Sequence, residues 1–425
     1  MRILRMGSEG PAVQLLQLAL ERAGQGELAL DGVFGGATRA ALRRFQEERG
    51  LAADGVAGPQ THRALLPWYI GFLVRRLRPG DTVWRVARSF GVGVEAILTA
   101  NPGLDPERLP VGGELVVPLP FPVVPERVDW FSALTAYCVR GLAARYPFLA
   151  AGEIGRSVLG RPLWSLRLGG GENRVLYAAG HHANEWITTP VLLRFAEELA
   201  AAFAAGSSIG GFPAAELLSY ASLTLIPSLD PDGTDLVTGE LRQGEAYESA
   251  RRIAAAYPAI PFPSGWKANV RGVDLNLQYP AGWAQAREIK AALGVRGPAP
   301  ADYVGPEPLS EPESRALYEH TLRLSPALVL ALHSQGEVIY WQFRGFEPPG
   351  ARRIAELFAA VSGYEAAETP YESSFAGYKD FFLQDFGRPG FTLELGRGRN
   401  PLPLGDLNGI YRDVLGILCL GALVT

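Results

Sequence analysis

GHHANEWITTP, residues 180–190, sets two of the chain's five histidines beside a glutamate. It follows NRVLYAAG (173–180), an apolar run that predicts a buried strand, and leads into PVLLRFAEELAAAFAA (190–205), which predicts a long helix. In a sheet flanked by helices, reactive groups collect where strands end. His182 and Glu185 are three residues apart, so one turn of chain can aim both at a point. His181 and Glu185 are four apart, a spacing that suits a helix, whereas this pair sits where strand gives way to loop. A catalytic zinc site takes three protein ligands and keeps one position open. The third must come from another strand end, and His333, closing ALVLALHSQ (327–335), is available 148 positions after Glu185. Glu394 lies in GFTLELG (390–396), and a carboxylate in so apolar a strand is costly unless paired or bound to a cation.

ASLTLIPSLD (221–230) and EVIYWQF (337–343) read as further strands. Near the end, Leu407, Ile410, Tyr411, Val414, Leu415 and Leu418 recur at helical spacing and predict a helix covering one sheet face. The alternation argues an α/β domain with helices on both sides of a mixed sheet.

The chain has 425 residues, 48% of them hydrophobic and 20% charged, enough for large packed cores and more than one domain. A net charge of -4 gives no reason to expect nucleic acid as the main partner. Two cysteines, Cys138 and Cys419, make neither a disulfide framework nor a metal cluster, and Cys419 in GILCLGALV is expected as a buried free thiol. MRILRMGSEGPAVQ lacks the apolar run of roughly 7–15 residues of a secretory signal, and no stretch approaches the ~18 apolar residues of a membrane span. The expectation is a soluble, cytoplasmic chain.

DGVFGGATRAAL (31–42) and DGVAGPQTHRAL (54–65) form an internal repeat with a period of 23, each a glycine-rich turn running into a helix. Val13, Leu16 and Leu20, and Ala41, Leu42 and Phe45, lie on helical faces. GSEGPAVQLLQ, DGVFGGAT and GLAADGVAGPQT together resemble the small three-helix peptidoglycan-binding domain. In the next segment FLVRRL and ELVVPL read as strands around two short helices, the first with Val83, Val86, Ala87 and Phe90 on one face and Asp81 or Thr82 as its N-cap. RPGDTVWRVARSFGVGVEAILTANPGL and LPVGGELVVP resemble a LysM domain, whose members bind N-acetylglucosamine-containing glycan. PLPFPVVP (118–125) reads as a stiff linker.

The remaining 300 residues carry a third resemblance. GHHANEWIT resembles the metal-binding signature of the zinc carboxypeptidases, the carboxypeptidase A-like peptidases. In the same order, IGRSVLGRPLWSLRLG (154–169) is similar to the family's opening segment and LDPDG to its Asn-Pro-Asp-Gly turn, with Asp230 for the asparagine. GVDLN, LHSQG and FTLELG match its later motifs. The resemblance implies a mixed eight-stranded sheet with helices on both faces. It would be preceded by a three-helix domain (1–68), a βααβ LysM domain (71–120) and a proline-rich linker (121–125), with the catalytic domain over 126–425. It implies one zinc ion held by His182, Glu185 and His333, with Glu394 as general base and Asp274 holding the free ring nitrogen of His182. It also implies Asn276 and a capping tyrosine, Tyr371 or Tyr378, as substrate-binding groups. Arg271 is the candidate to face the developing oxyanion, or else a surface arginine. The digestive members follow the asparagine with an arginine that clamps a C-terminal carboxylate; here Leu277 stands there and cannot make that contact.

WKANVRGVDLNLQYPAGW and GPEPLSEPESRAL resemble the γ-D-glutamyl-meso-diaminopimelate peptidase branch of the family. The implied substrate is the stem peptide of peptidoglycan, with the N-terminal modules gripping the glycan at the cell wall or spore cortex. The alternatives are a conventional carboxypeptidase on ordinary peptides and a wall-binding protein without activity. Glu337, Lys379 and Arg344 are charged residues near the catalytic strand ends, unranked as readers of the diaminopimelate side chain.

Overall fold

A computed structural model describes residues 2–424. The described residues fall into two compact units, one running through Asp129 together with Ala133–Ala150, the other comprising Trp130–Ser132 and the chain from Ala151 onward.

In the first unit, helices Pro11–Arg22, Gly36–Glu48 and Pro59–Ile70 form the three-helix domain. The sequence repeat is a repeat of hydrogen bonds. Gln17 Nε2 donates to Asp31 Oδ1 (2.8 Å), the Val33 carbonyl (3.1 Å) and Thr38 Oγ1 (3.1 Å), while Gly32 N–H donates to Gln17 Oε1 (3.1 Å). Gln46 repeats the pattern with Asp54, Val56, Thr61 and Gly55 at 2.9–3.2 Å. Gly32 and Gly55 both have φ 72, which explains the glycine in each copy. Strands β1 (Phe72–Arg76) and β2 (Glu114–Pro118) pair antiparallel around helices Val83–Phe90 and Val94–Ala100, the βααβ order expected. Thr82, of the two candidate caps, accepts the Arg85 N–H (3.1 Å). Val83, Val86 and Ala87 are buried with Ile97, Leu115 and Val117.

The proline-rich segment is not a free spacer. Val123 and Val124 are buried. Helix Ser132–Arg145 belongs mostly to this unit, and a Cβ at its Gly141 would lie 2.2 Å from the Ile70 carbonyl oxygen and 2.6 Å from Val123 Cγ1. Arg145 on the same helix donates to the carbonyls of Gly71 (2.7 Å) and Leu119 (2.8 Å), so one buried guanidinium clasps both ends of the βααβ domain.

The second unit is built on one mixed eight-stranded sheet. Its strands are β3 (Ala150–Arg156), β4 (Pro162–Leu168), β5 (Asn173–Ala179), β6 (Ala221–Ile226), β7 (Leu328–His333), β8 (Val338–Tyr340), β9 (Glu365–Ala367) and β10 (Gly390–Glu394). Their spatial order is β9-β8-β10-β7-β5-β6-β4-β3. The pairs β6–β5, β5–β7 and β7–β10 are parallel, and β4–β6 and β10–β8 antiparallel. Period-two alternation sorts the two faces. Leu176, Ala178, Val329 and Ala331 join a core with Leu317, Phe381 and Phe382 from helices Pro312–Leu324 and Tyr378–Phe386. On the other face Tyr177 Oη donates to the Leu418 carbonyl (2.9 Å), which ties the expected terminal helix, Leu407–Leu420, to the sheet. Cys138 and Cys419 are buried, and neither forms a disulfide. Among the described residues no helix is long and apolar enough to cross a membrane.

Alanine is worth about 1 kcal/mol over glycine inside a helix. At Gly141 the clash with backbone reverses that sign: Gly141→Ala is expected to destabilise the first unit by roughly 1–3 kcal/mol, read as an earlier unfolding transition of the full chain by calorimetry.

Candidate metal centre and its pocket

The three central parallel strands end level with one another. Ala179 of β5 pairs with Leu332 of β7, and His333 of β7 pairs with Glu394 of β10. After β5 the chain turns at Gly180 (φ 67), whose N–H donates to Thr188 Oγ1 (3.0 Å) and whose carbonyl accepts from Asp230 (2.7 Å). A single 3-10 turn, Ala183–Glu185, then swings Glu185 back toward His182.

The donors converge. His182 Nδ1 lies 2.9 Å from Glu185 Oε1, His333 Nδ1 lies 3.1 Å from Glu185 Oε2, and the two ring nitrogens are 3.1 Å apart. Donors around a tetrahedral ion at about 2.1 Å stand roughly 3.4 Å apart, so separations of 2.9–3.1 Å suit one small cation. Two imidazoles and a carboxylate are also a donor set that zinc takes when one position is left open. The other nitrogen of His182, Nε2, lies 3.1 Å from Asp274 Oδ1, which orients the ring so that Nδ1 faces Glu185 and His333. The group could therefore hold a metal ion.

The buried charges of the cluster are matched to one another. Burial alone would raise the Glu185 carboxyl, but His182 and His333 hold it below the ordinary carboxylate range, so it stays ionised. Burial would lower His182, and Glu185 and Asp274 raise it to about 9. Glu394 behaves oppositely: burial and then the Glu185 charge push it up to about 8. His181 is wholly buried, its ring stacked 5.1 Å from that of His333.

A cavity of about 470 Å³ opens over these groups. His182, Glu185, His333, Glu394, Asp274, Asn276 and Leu277 line it. Asn276 Oδ1 accepts the Tyr378 N–H (2.9 Å). Tyr371 is 63% exposed on the turn Tyr371–Ser373, whose neighbours Pro370 and Ser373 line the cavity. Tyr378 is fully buried, its hydroxyl 2.8 Å from Thr321 Oγ1 in the core, whereas the exposed Tyr371 ring packs edge-on against Phe375 at 5.2 Å. Arg271 does not line the cavity; Nη1 lies 3.5 Å from Glu311 Oε2. The cation beside the metal-facing residues is Lys267, Nζ 3.3 Å from Asp274 Oδ2. Burial would lower its pKa, and Asp274, Glu185 and Glu394 raise it above the ordinary lysine range. Sequence reading passed over Lys267, although a signal existed: the whole chain contains three lysines.

A separate buried acidic cluster explains two of the motifs. Arg161, from the opening segment, pairs with Asp232 and with Asp235 (2.7 Å), both in the LDPDGTD turn. Asp235 also accepts from Ser132 N–H (2.7 Å) and Oγ (2.8 Å). Asp230 Oδ1 accepts the Gly233 N–H (2.8 Å), while Oδ2 is buried without a partner. Burial and the neighbouring Glu313 carry the Asp230 pKa far above the ordinary range. A neutral carboxyl has nearly the shape of an amide, which explains aspartate in the asparagine's place.

A mixed sheet with a two-histidine, one-glutamate cluster at its central strand ends is the architecture of a metallopeptidase. Residues 136–413 match the zinc carboxypeptidase family, and the chain belongs to it. Residues 9–65 match a peptidoglycan binding domain and 76–118 a LysM domain. The chain is 40% identical over 397 residues to gamma-D-glutamyl-L-diamino acid endopeptidase 1 of Lysinibacillus sphaericus, covering 81% of this chain and 98% of that protein. It is 40% identical over 276 residues to the uncharacterized protein YqgT of Bacillus subtilis (strain 168), covering 64% and 72%. The crystal structure of carboxypeptidase A from Helicoverpa armigera shares the fold at 17% identity and a TM-score of 0.52, covering 92% and 88%.

The acidic cluster has a pH signature. Burial pushes the Glu313 carboxyl up to about 7 from its ordinary 4.5. Between those values the folded chain keeps a proton that the unfolded chain has lost, so stability falls as pH rises through that window. Glu313→Gln, which keeps the acceptor for Val158 N–H, is expected to be near neutral at pH 4 and stabilising by on the order of 3 kcal/mol at pH 8. Denaturant titrations at the two pH values check the sign.

Proposed function

We propose that the chain is a zinc-dependent murein peptidase that hydrolyses the bond between γ-D-glutamate and meso-diaminopimelate in peptidoglycan stem peptides. The observation that carries the chemistry is the convergence of His182, Glu185 and His333, with Glu394 directly opposite His333 on the adjacent strand. The likeness to the Lysinibacillus sphaericus endopeptidase over nearly its full length supports the substrate. The two matched modules support a site of action at the cell wall, on N-acetylglucosamine-containing glycan. Binding there would raise the local concentration of stem peptide, as a tether does.

His182 Nδ1, Glu185 and His333 Nδ1 hold one zinc ion, and Asp274 fixes the tautomer of His182. What the ion supplies when bound is Lewis acidity toward a carbonyl and a lowered water pKa. Glu394 accepts the proton of the attacking water and returns it to the leaving amine, a role suited to its place in the cavity lining opposite His333. Lys267 takes the charge-stabilising role for which the sequence nominated Arg271, because it lines the cavity and Arg271 does not. Tyr371 closes over the bound peptide from its exposed turn. Leu277 lines the cavity where the digestive enzymes have their carboxylate clamp, which favours a substrate read by other groups.

The test is hydrolysis of L-Ala-γ-D-Glu-meso-diaminopimelate by the full chain, with products identified by mass spectrometry and bound zinc by elemental analysis. Release of L-Ala-D-Glu and free diaminopimelate is expected. Glu394→Gln should lower kcat by about 10²–10⁴ with zinc retained, and Asp274→Asn should weaken zinc binding by about 10–100-fold. Lys267→Met should lower kcat by roughly 10²–10³, whereas Arg271→Met should leave kcat within a few-fold. A zinc-loaded chain that trims ordinary peptides and leaves the stem peptide intact would be a conventional carboxypeptidase. A chain with neither zinc nor activity would be a wall-binding protein.

A further inference from the structure

Of the chain's 40 lysine and arginine residues, three are lysine: Lys267, Lys290 and Lys379. All three line the one cavity above the metal-facing residues. Each is paired with an aspartate: Lys267 with Asp274 (3.3 Å), Lys290 with Asp302 (2.7 Å) and Lys379 with Asp380 (2.6 Å). Two of the pairs belong to one network, since Asp302 N–H donates to Asp274 Oδ2 (3.4 Å) and Asp274 holds His182. The third stands apart from that network, at the start of helix Tyr378–Phe386.

The Lys379–Asp380 pair has hydrogen-bonding capacity left over. An ammonium has three donors. Lys379 Nζ uses one on Asp380 Oδ1 (2.6 Å) and one on the Gln342 carbonyl (2.7 Å). Asp380 accepts from Lys379 through Oδ1 and from Gly377 N–H through Oδ2 (3.2 Å), and a carboxylate has about four acceptor positions. The pair adjoins Asn276, because a Cβ at Gly377 would lie 2.8 Å from Asp380 Oδ2 and 3.8 Å from Asn276 Nδ2. Both side chains are almost wholly buried, 3% and 2% exposed. A buried ion pair is a poor source of stability, and an apolar pair of similar volume often does as well or better. The helix cap uses only Asp380, so Lys379 has no part in it.

Resting on the murein peptidase reading above, we infer that Lys379 and Asp380 together read the distal centre of meso-diaminopimelate, which carries an ammonium and a carboxylate on one carbon. Lys379 donates to that carboxylate and Asp380 accepts from that ammonium. A side chain ending in an ammonium alone, such as L-lysine at the same position of a stem peptide, satisfies Asp380 but faces Lys379 uncompensated. The pair thus selects by repulsion as well as attraction. Of the three charged residues left unranked by the sequence, this separates Lys379 from the others. Glu337 is held by Arg397 (2.6 Å), Arg344 is exposed over the Phe375 ring (5.0 Å), and neither lines the cavity.

The experiment compares two stem peptides, L-Ala-γ-D-Glu-meso-diaminopimelate and L-Ala-γ-D-Glu-L-lysine, on the zinc-loaded full chain and on Lys379→Met. The wild-type ratio of kcat/KM is expected to favour diaminopimelate at least tenfold, and in Lys379→Met that ratio should fall at least tenfold, chiefly through KM. Both peptides carry the same carboxylate at the L-centre, so equal losses on the two would mean that Lys379 reads that group and would overturn the proposal. An unchanged ratio in a variant that keeps its zinc and its unfolding temperature also overturns it. Calorimetry on the wild-type chain with free meso-diaminopimelate and free L-lysine gives a test independent of the variant's folding: tighter binding of the first by at least tenfold supports the proposal, and equal binding sinks it. Cleavage of neither peptide removes the murein reading and this proposal with it, whereas cleavage without discrimination removes this proposal alone.

Discussion

The site depends on the in-register parallel pairing of β5, β7 and β10. Because Ala179 lies opposite Leu332 and His333 opposite Glu394, residues 153 and 61 positions apart reach the same level of one sheet. A one-residue slip would turn His333 or Glu394 to the opposite face, since side chains alternate along a strand. The apolar residues of these strands are nearly all fully buried, so each strand is specified on both faces and a slip would bury polar groups at many positions together. The packing that holds the register is therefore also what aims the ligands.

Holding that many charges out of water is tolerable only because they are matched. Glu185 lies between two imidazoles, Asp274 between His182 and Lys267, and Arg161 between Asp232 and Asp235. Where burial outweighs the nearest cation, as at Asp230 near Arg161, or acts without an ion pair, as at Glu313, it raises the pKa and favours the neutral form. Glu394, which lines the cavity, is raised in the same way by burial and by the Glu185 charge.

The N-terminal unit shows the same economy in a simpler form. Gln17 and Gln46 each satisfy an aspartate, a carbonyl and a threonine with one buried amide, so the glycine-rich turns are held by side chains rather than by a ladder. Arg145 then joins the end of the third helix and the end of β2 through their carbonyls. The segment at 121–125 looked like a spacer from its prolines alone, because composition reports chain stiffness and not whether Val123 and Val124 have something to pack against.

Local pattern was legible from the residues themselves. The repeat at Asp31 and Asp54, the apolar strands that became β5, β6, β7, β8 and β10, the terminal helix and the one-turn pair His182–Glu185 all declare themselves over a few residues, where periodicity and spacing act directly. The edge strands β3 and β9 and the neighbouring β4 did not: Glu365–Ala367 holds no large apolar residue, and β3 and β4 are only partly buried, so neither forms a plain apolar run. What lay beyond the sequence were choices between chemically equivalent candidates. Tyr371 and Tyr378 differ in nothing but surroundings, and only packing shows that Tyr378 is locked to Thr321. Arg271 and Lys267 are both cations near the same motif, and only the folded chain shows which one lines the cavity. The three lysines were countable from the start, but their shared destination required residues 267, 290 and 379 to meet. Burial and pairing are properties of three-dimensional neighbourhood, and a linear pattern specifies the neighbours along the chain but not those across it.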